Sequence, residues 1–148
     1  MVTVLLLNYK RVENLPIILD ALKNQTVECK IFLWNNAEEE FNDPRLDLVI
    51  NSSKNLKCWA RWSMASYANT PYVMSHDDDL VLSSPDSLQS LIDTMEENYE
   101  AGRAIGFNGD KRGKDGSCYP TEQLTSMRKV GITVGANQHK HSKQKKRG

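Results

Sequence analysis

Long apolar runs are missing from this 148-residue chain. The best of them, Val2–Leu7, is ended by Asn8, Lys10 and Arg11. Six residues are too few for the core of a secretion signal and far too few to cross a bilayer. No transmembrane segment is expected, and the expected compartment is the cytoplasm. Cysteine is scarce as well: Cys29, Cys58 and Cys118 are odd in number and widely spaced. That excludes a disulfide framework and zinc-site spacing, and leaves reduced, mostly buried thiols. No glycine-rich turn follows the first apolar run, so neither a Walker loop nor a dinucleotide fingerprint is present. Nor is there an internal repeat. Asn24-Gln25-Thr26 and Asn51-Ser52-Ser53 fit the glycosylation pattern, and without a secretion signal both are read as chance.

An excess of charge of one sign is also absent, since 19 basic residues balance 19 acidic ones. The balance is uneven along the chain. Lys140, Lys143, Lys145, Lys146 and Arg147 crowd the last ten residues, leaving 14 basic and 19 acidic side chains, a net of −5, in the other 138. An acidic body with a basic tail is not the signature of a nucleic-acid-binding domain, and no nucleic-acid partner is expected. The tail at 136–148 reads as solvated and disordered, with anionic membrane surface or nucleic acid as the alternative contacts.

What is present alternates. Val2–Leu7 reads as a strand buried on both faces. Asn14 offers a helix N-cap with Pro16 in the first turn, and Leu15, Ile18, Leu19 and Leu22 then form one apolar stripe. Cys29–Trp34 is a second strand and Leu46–Ile50 a third. Cys58–Ala68 reads as a helix apolar nearly all round, hence buried on both sides, with Trp59 and Trp62 in the core. Arg61 lies in its middle, and a buried guanidinium requires an anion. Tyr72–Ser75 is a short strand. Ser84-Pro85-Asp86 starts a helix whose stripe is Leu88, Leu91, Ile92 and Met95. Ala104–Phe107 is expected as the last clear strand, followed by a polar, glycine-rich loop and a further strand within Val130–Val134. The order predicts an α/β fold: a mostly parallel central sheet flanked by helices, in a single domain at 1–135.

Ligands of open α/β sheets sit beyond the carboxyl ends of the strands. Those ends here are Asn8-Tyr9-Lys10-Arg11, Asn35-Asn36, Asn51, Asp77-Asp78-Asp79 and Asn108. Consecutive aspartates in an extended backbone place Asp77 and Asp79 on one side and Asp78 on the other. Two like charges about 4 Å apart repel by roughly 4 kcal/mol near a protein surface. A hard divalent cation, Mn2+ or Mg2+, removes that penalty and takes substrate phosphates as its remaining ligands. The plainer reading is a solvated acidic turn before a helix.

The order of apolar strand, NYKR, helix, strand ending in WNN, arginine-bearing helix, strand, DDD, helix and GF resembles the GT-A glycosyltransferases. Within them it is similar to family-2-like and exostosin-like members, and to small glycosyltransferases of large algal viruses. The matching pieces are Val4–Tyr9, Leu33–Asn36, Asn55, Ala60–Trp62, His76–Leu80 and Ile105–Phe107, and the resemblance covers about residues 2 to 112. A bare D-x-D is a weak signal, and the aspartate run in its setting is the specific one. The resemblance implies a sugar transferred from a UDP-type donor to a glycan or other hydroxyl acceptor, in the host cytoplasm if the chain is viral.

By the same resemblance Asn8, Tyr9 and Arg11 would line the base and ribose, with Tyr9 stacking on the base. Asn35 and Asn36 would contact the nucleoside, and Asn55 and Arg61 the ribose or diphosphate. Asp77 and Asp78 would face the donor, with Asp79 and Asp77 on the metal. Each has a structural alternative. Tyr9 also suits a packing aromatic, Asn35-Asn36 a turn pair, Arg61 an ion pair with one of the aspartates, and His76 a packed residue. GT-A enzymes place acceptor-binding and catalytic groups after this half, often with a further histidine. Here the late histidines are His139 and His141, in the tail, and Asp110 is the nominated base. A truncated enzyme or a nucleotide-sugar-binding module without full activity is therefore an alternative, and so is a metal-dependent nucleotidyltransferase.

Overall fold

A computed structural model describes residues 1–97, 105–106, 108–112, 118–119 and 132–134, with side chains described to residue 97 and at 105–106. Four parallel strands form the central sheet: β1 (Val2–Asn8), β2 (Cys29–Asn35), β3 (Leu48–Asn51) and β4 (Tyr72–Asp77), in the order β3-β2-β1-β4. The chain steps outward from β1 to β3, then crosses to the other side of β1 for β4. That reversal makes the carboxyl ends of β1 and β4 the topological switch point, where open α/β sheets form a crevice.

Alternation along the strands sends side chains to two faces. On one face Val4, Leu6, Ile31 and Leu33 meet Leu15, Ile18, Leu19 and Leu22 of α1 (Leu15–Lys23), all essentially without solvent contact. Complete burial of each such side chain contributes about 1.5–3 kcal/mol. Leu88 of α3 (Ser87–Glu97) joins the same cluster, with Ile92 partly buried against it. The opposite face is smaller: Leu5, Phe32 and Met64 of α2 (Trp59–Met64), flanked by Trp34, Leu48 and Ile50. An α/β fold with a parallel sheet between helical layers is thus observed, and the four apolar positions foreseen for α1 are the ones it buries.

The β2–β3 crossover carries no helix. Phe41 and Leu46 pack it onto the core, and Arg45 pins it by pairing with Asp43 at 2.7 Å and with Asp20 of α1.

Several expectations are corrected. Asn14 does not cap α1 with its side chain. A 3-10 turn at Val12–Asn14 precedes the helix, and the Asn14 amide instead donates to the Asp78 backbone carbonyl at 2.9 Å. Strand β4 runs on through His76 and Asp77, because both still pair with β1. Ser84-Pro85-Asp86 forms a turn before α3, which starts at Ser87. The helix expected over Cys58–Ala68 is α helical only at Trp59–Met64, with a 3-10 turn at Ala65–Tyr67. It is covered on one side alone: Ala60, Arg61 and Met64 are buried, while Trp59 and Trp62, expected in the core, are 78 % and 54 % exposed. Two tryptophans at i and i+3 share a helix face, and here that face is turned from the sheet. Cys58 is likewise exposed, whereas Cys29 is buried.

Farther along, Ile105 and Gly106 are not in a strand, and Ala104 and Phe107 lie outside the described residues. The stretch expected as loop begins with a strand, β5 (Asn108–Arg112), which pairs antiparallel with β6 (Cys118–Tyr119) and β7 (Ile132–Val134). β7 falls inside the strand foreseen at Val130–Val134. The basic tail lies outside the described residues. No helix among the described residues is long and apolar enough to cross a membrane.

Candidate functional site

At the switch point the three aspartates end β4, and the Asn8–Arg11 segment leaves β1 beside them. Alternation divides the acids. Asp77, at the end of β4, faces α2, and Arg61 of that helix donates to it through Nη2. The same guanidinium donates through Nη1 to Ser75 Oγ at 2.6 Å and to the His76 carbonyl at 3.2 Å. Arg61 therefore fastens the last stretch of backbone before the acids to the second layer. Its side chain is only 7 % exposed, so the anion that a buried guanidinium demands is Asp77. The Nε of Arg61 is buried without a partner among the described residues.

Asp78 faces the other way and is nearly buried. Its Oδ2 accepts the backbone N–H of Tyr9 at 3.0 Å, and its Oδ1 accepts Arg11 Nη1 at 2.9 Å. Arg11 Nη1 also stands 3.4 Å from Asp79 Oδ2, so a single guanidinium bridges two consecutive carboxylates. The hydrogen bond that Arg11 donates to Asp78, reinforced by the charges of Asp78 and Asp79, raises the pKa of Arg11. Tyr9 is 43 % exposed, with the ammonium of Lys10 over its ring at 5.2 Å.

The asparagines form a ladder across the same sheet edge. Asn8, Asn35 and Asn51 are in register on β1, β2 and β3. Asn8 Nδ2 donates to Asn35 Oδ1 at 2.7 Å, and Asn35 Nδ2 donates to Asn51 Oδ1 at 2.9 Å and to the Glu39 carbonyl at 2.7 Å. Asn8 and Asn35 are fully buried, and Asn8 Oδ1 has no partner among the described residues. Asn36 is buried too. Its Oδ1 accepts the Leu56 N–H at 3.0 Å and its Nδ2 donates to the Lys57 carbonyl at 3.4 Å. These bonds hold the approach to α2, where Lys57 takes a left-handed φ of 57°. Asn55 is exposed and spends its Oδ1 on the Lys57 N–H at 2.8 Å, a local turn.

The sequence-derived residues thus separate into two groups. Tyr9, Arg11, Arg61, Asp77, Asp78 and Asp79 come together around the switch point. Asn8, Asn35 and Asn36 form a buried scaffold beneath and beside it, and Asn55 sits on the loop before α2. Asp110 lies on β5 opposite Ile132, and its side chain is outside the described residues. Ser75 and Asn14, which hold Arg61 and the Asp78 backbone, are not among the site residues expected from the sequence. A serine two residues before an acid run carries no pattern that would single it out.

His76 is buried between the layers at the strand end, and its Nδ1 lies 2.9 Å from the Asp77 carbonyl. A carbonyl only accepts, so Nδ1 carries the proton and Nε2, buried and without a partner among the described residues, is the bare nitrogen. Desolvation lowers its pKa, against the opposing influence of the Asp77 carbonyl and carboxylate.

Among the described residues no three His, Cys, Asp or Glu side chains gather as a metal cage. The carboxylates of the strand end that stay open to solvent are Asp77 and Asp79. Asp77 and Asp79 keep 32 % and 35 % of their side chains exposed, and Mg2+-type ions take one or two carboxylates with phosphate and water for the rest. No protein-family model and no curated protein matches the chain.

Proposed function

We propose that the chain is a divalent-metal-dependent glycosyltransferase taking a UDP-type nucleotide sugar as donor and a hydroxyl group of a glycan or other molecule as acceptor. One observation carries the reading: three consecutive aspartates sit at the switch point of a parallel sheet, with Asp77 paired to Arg61 and Asp78 and Asp79 to Arg11, beside an exposed aromatic. Neutral sugars alone need no such density of charge. A nucleoside diphosphate does, because it presents anionic oxygens at one end and a stacking base at the other.

In the transfer, the acceptor oxygen forms its bond to the anomeric carbon as the bond from that carbon to the diphosphate oxygen breaks. The acceptor proton leaves to a base, and negative charge gathers on the diphosphate. Asp79 and Asp77 would hold Mn2+ or Mg2+, which when bound supplies countercharge to the leaving group. Arg61, immobilised by Ser75, the His76 carbonyl and Asp77, fixes the position of that carboxylate and adds a positive charge that need not reorganise. Tyr9 offers its ring to the base, and its backbone is tied to Asp78 so that base and acid sites keep a constant separation.

The test is calorimetric titration with UDP-sugars, with and without Mn2+, followed by measurement of donor hydrolysis and transfer. Metal-dependent UDP binding with turnover is the expected result. Binding without turnover would leave a nucleotide-sugar-binding module, and a preference for ATP or RNA would overturn the reading.

A further inference from the structure

The two arginines at the strand end are held very differently. Arg61 is buried and has three partners on β4. The Arg11 side chain is 51 % exposed, and among the described residues its guanidinium touches only Asp78 and Asp79. We propose that Arg11 is a displaceable counter-ion, which keeps a bare divalent cation out of the carboxylate cluster and couples cation entry to arrival of a diphosphate. The inference rests on the donor reading above and adds an order to it.

Four features support it. Arg11 occupies one of the two acids a cation would use, Asp79, together with its neighbour: Nη1 is 3.4 Å from Asp79 Oδ2 and 2.9 Å from Asp78 Oδ1. With Asp77 already neutralised by Arg61, little net negative charge is left to draw in a lone cation. Removal of Arg11 does not strand Asp78, whose Oδ2 still accepts the Tyr9 N–H at 3.0 Å. Finally, the longer contact, to Asp79, is to the more exposed acid and is the easier to give up. A diphosphate offers the guanidinium two parallel acceptors in place of two divergent ones. As Arg11 turns to it, Asp79 is released to the cation. Linkage then requires diphosphate to tighten metal binding by the same factor as metal tightens diphosphate binding.

The experiment titrates Mn2+ into the full chain and follows loss of the free-ion paramagnetic signal, with and without UDP, for wild type, Arg11→Gln and Arg11→Lys. Thermal melts accompany each protein. Wild type should bind Mn2+ alone weakly, and UDP should tighten it by about tenfold or more. Arg11→Gln should bind Mn2+ alone about tenfold more tightly than wild type and lose most of the coupling. Arg11→Lys, with its charge kept, should stay close to wild type for Mn2+ alone. A merely structural loss at Arg11 would weaken the metal site, so the sign of the change separates the two roles. If UDP tightens Mn2+ in every protein but Arg11→Gln binds Mn2+ alone no better than wild type, the counter-ion proposal fails and the donor reading stands. The counter-ion proposal fails in the same way if Arg11→Lys tightens as much as Arg11→Gln. If no protein binds Mn2+ even with UDP, the donor reading fails and takes this proposal with it.

Discussion

Arg61 and Asp77 link helix α2 to the last residue of strand β4, the guanidinium donating to one carboxylate oxygen while its other nitrogen holds Ser75 and the His76 carbonyl. The pair is lopsided: the arginine side chain is 7 % exposed and the aspartate 32 %. An arginine so placed is a poor partner to lose, because the acid it leaves is still partly desolvated. Arg61→Leu should destabilise the protein by about 2 kcal/mol, less than for a fully buried pair because water reaches Asp77. Arg61→Leu with Asp77→Leu should recover part of that loss. Urea denaturation of the single and double variants checks it. Strictly additive losses would show that the two side chains are not coupled.

Asp79 has no structural duty comparable to that of its neighbours. It is the exposed member of the run and, among the described residues, meets only Arg11, at 3.4 Å. Asp79→Ala should therefore abolish metal-dependent donor binding and leave the melting temperature within about 2 °C of wild type. Asp78→Ala should behave oppositely in the melt, because Asp78 holds both the Tyr9 N–H and Arg11. Calorimetry with UDP and Mn2+, paired with thermal melts, separates the two. Undiminished metal-dependent affinity in Asp79→Ala would remove that residue from the metal site.

The contrast between these acids shows what the sequence could carry. Period and composition located the sheet, because Leu15, Ile18, Leu19 and Leu22 can bury only one way. Alternation in an extended chain also implies that Asp78 points away from Asp77. The surroundings of α2 were not legible. Trp59 and Trp62 are apolar by composition, but six helical residues seated by Ala60 and Met64 have only one side to bury, and which side depends on tertiary contacts. The same limit applies to Asn14, whose capping chemistry is sound, yet whose amide is claimed by a carbonyl 64 residues along the chain. Asn108–Arg112 reads as loop because glycine and charge dominate it, and pairing with Ile132–Val134 and Cys118–Tyr119 outweighs that local preference.

Asn35 is the hub of the amide ladder. Its Oδ1 accepts from Asn8 and from the Ala37 N–H at 3.2 Å, and its Nδ2 donates to Asn51 and the Glu39 carbonyl. Asn35→Ala strands several buried groups at once, each costing about 1–3 kcal/mol when unpaired. Partial relaxation and water entry at the sheet edge should hold the total to about 3 kcal/mol. Asn55→Ala, at an exposed turn, should cost under about 0.5 kcal/mol. Chemical denaturation of both tests the assignment, and equal small losses would mean the ladder is not a structural unit.

His76 makes a separate, pH-dependent prediction. Burial lowers its folded-state pKa, so the folded protein resists a proton that the unfolded chain accepts near its ordinary value of about 6.5. The contribution of His76 to stability is thus fully present above that value. It diminishes as pH falls below it, until the folded imidazole itself takes up a proton. Two measurements follow. In nitrogen-15 NMR the His76 ring should show a protonated Nδ1 and a bare Nε2 at pH 7, and should take up its second proton at lower pH than an exposed histidine does. Stability from urea melts should fall between pH 7 and 5 in wild type, and fall less steeply in His76→Gln, whose side chain does not titrate. An imidazole that titrates normally while the protein is folded would mean that the strand end is open to water. The layered packing that holds the acids at the switch point would then be looser than the geometry of Leu6, His76 and Asp78 describes.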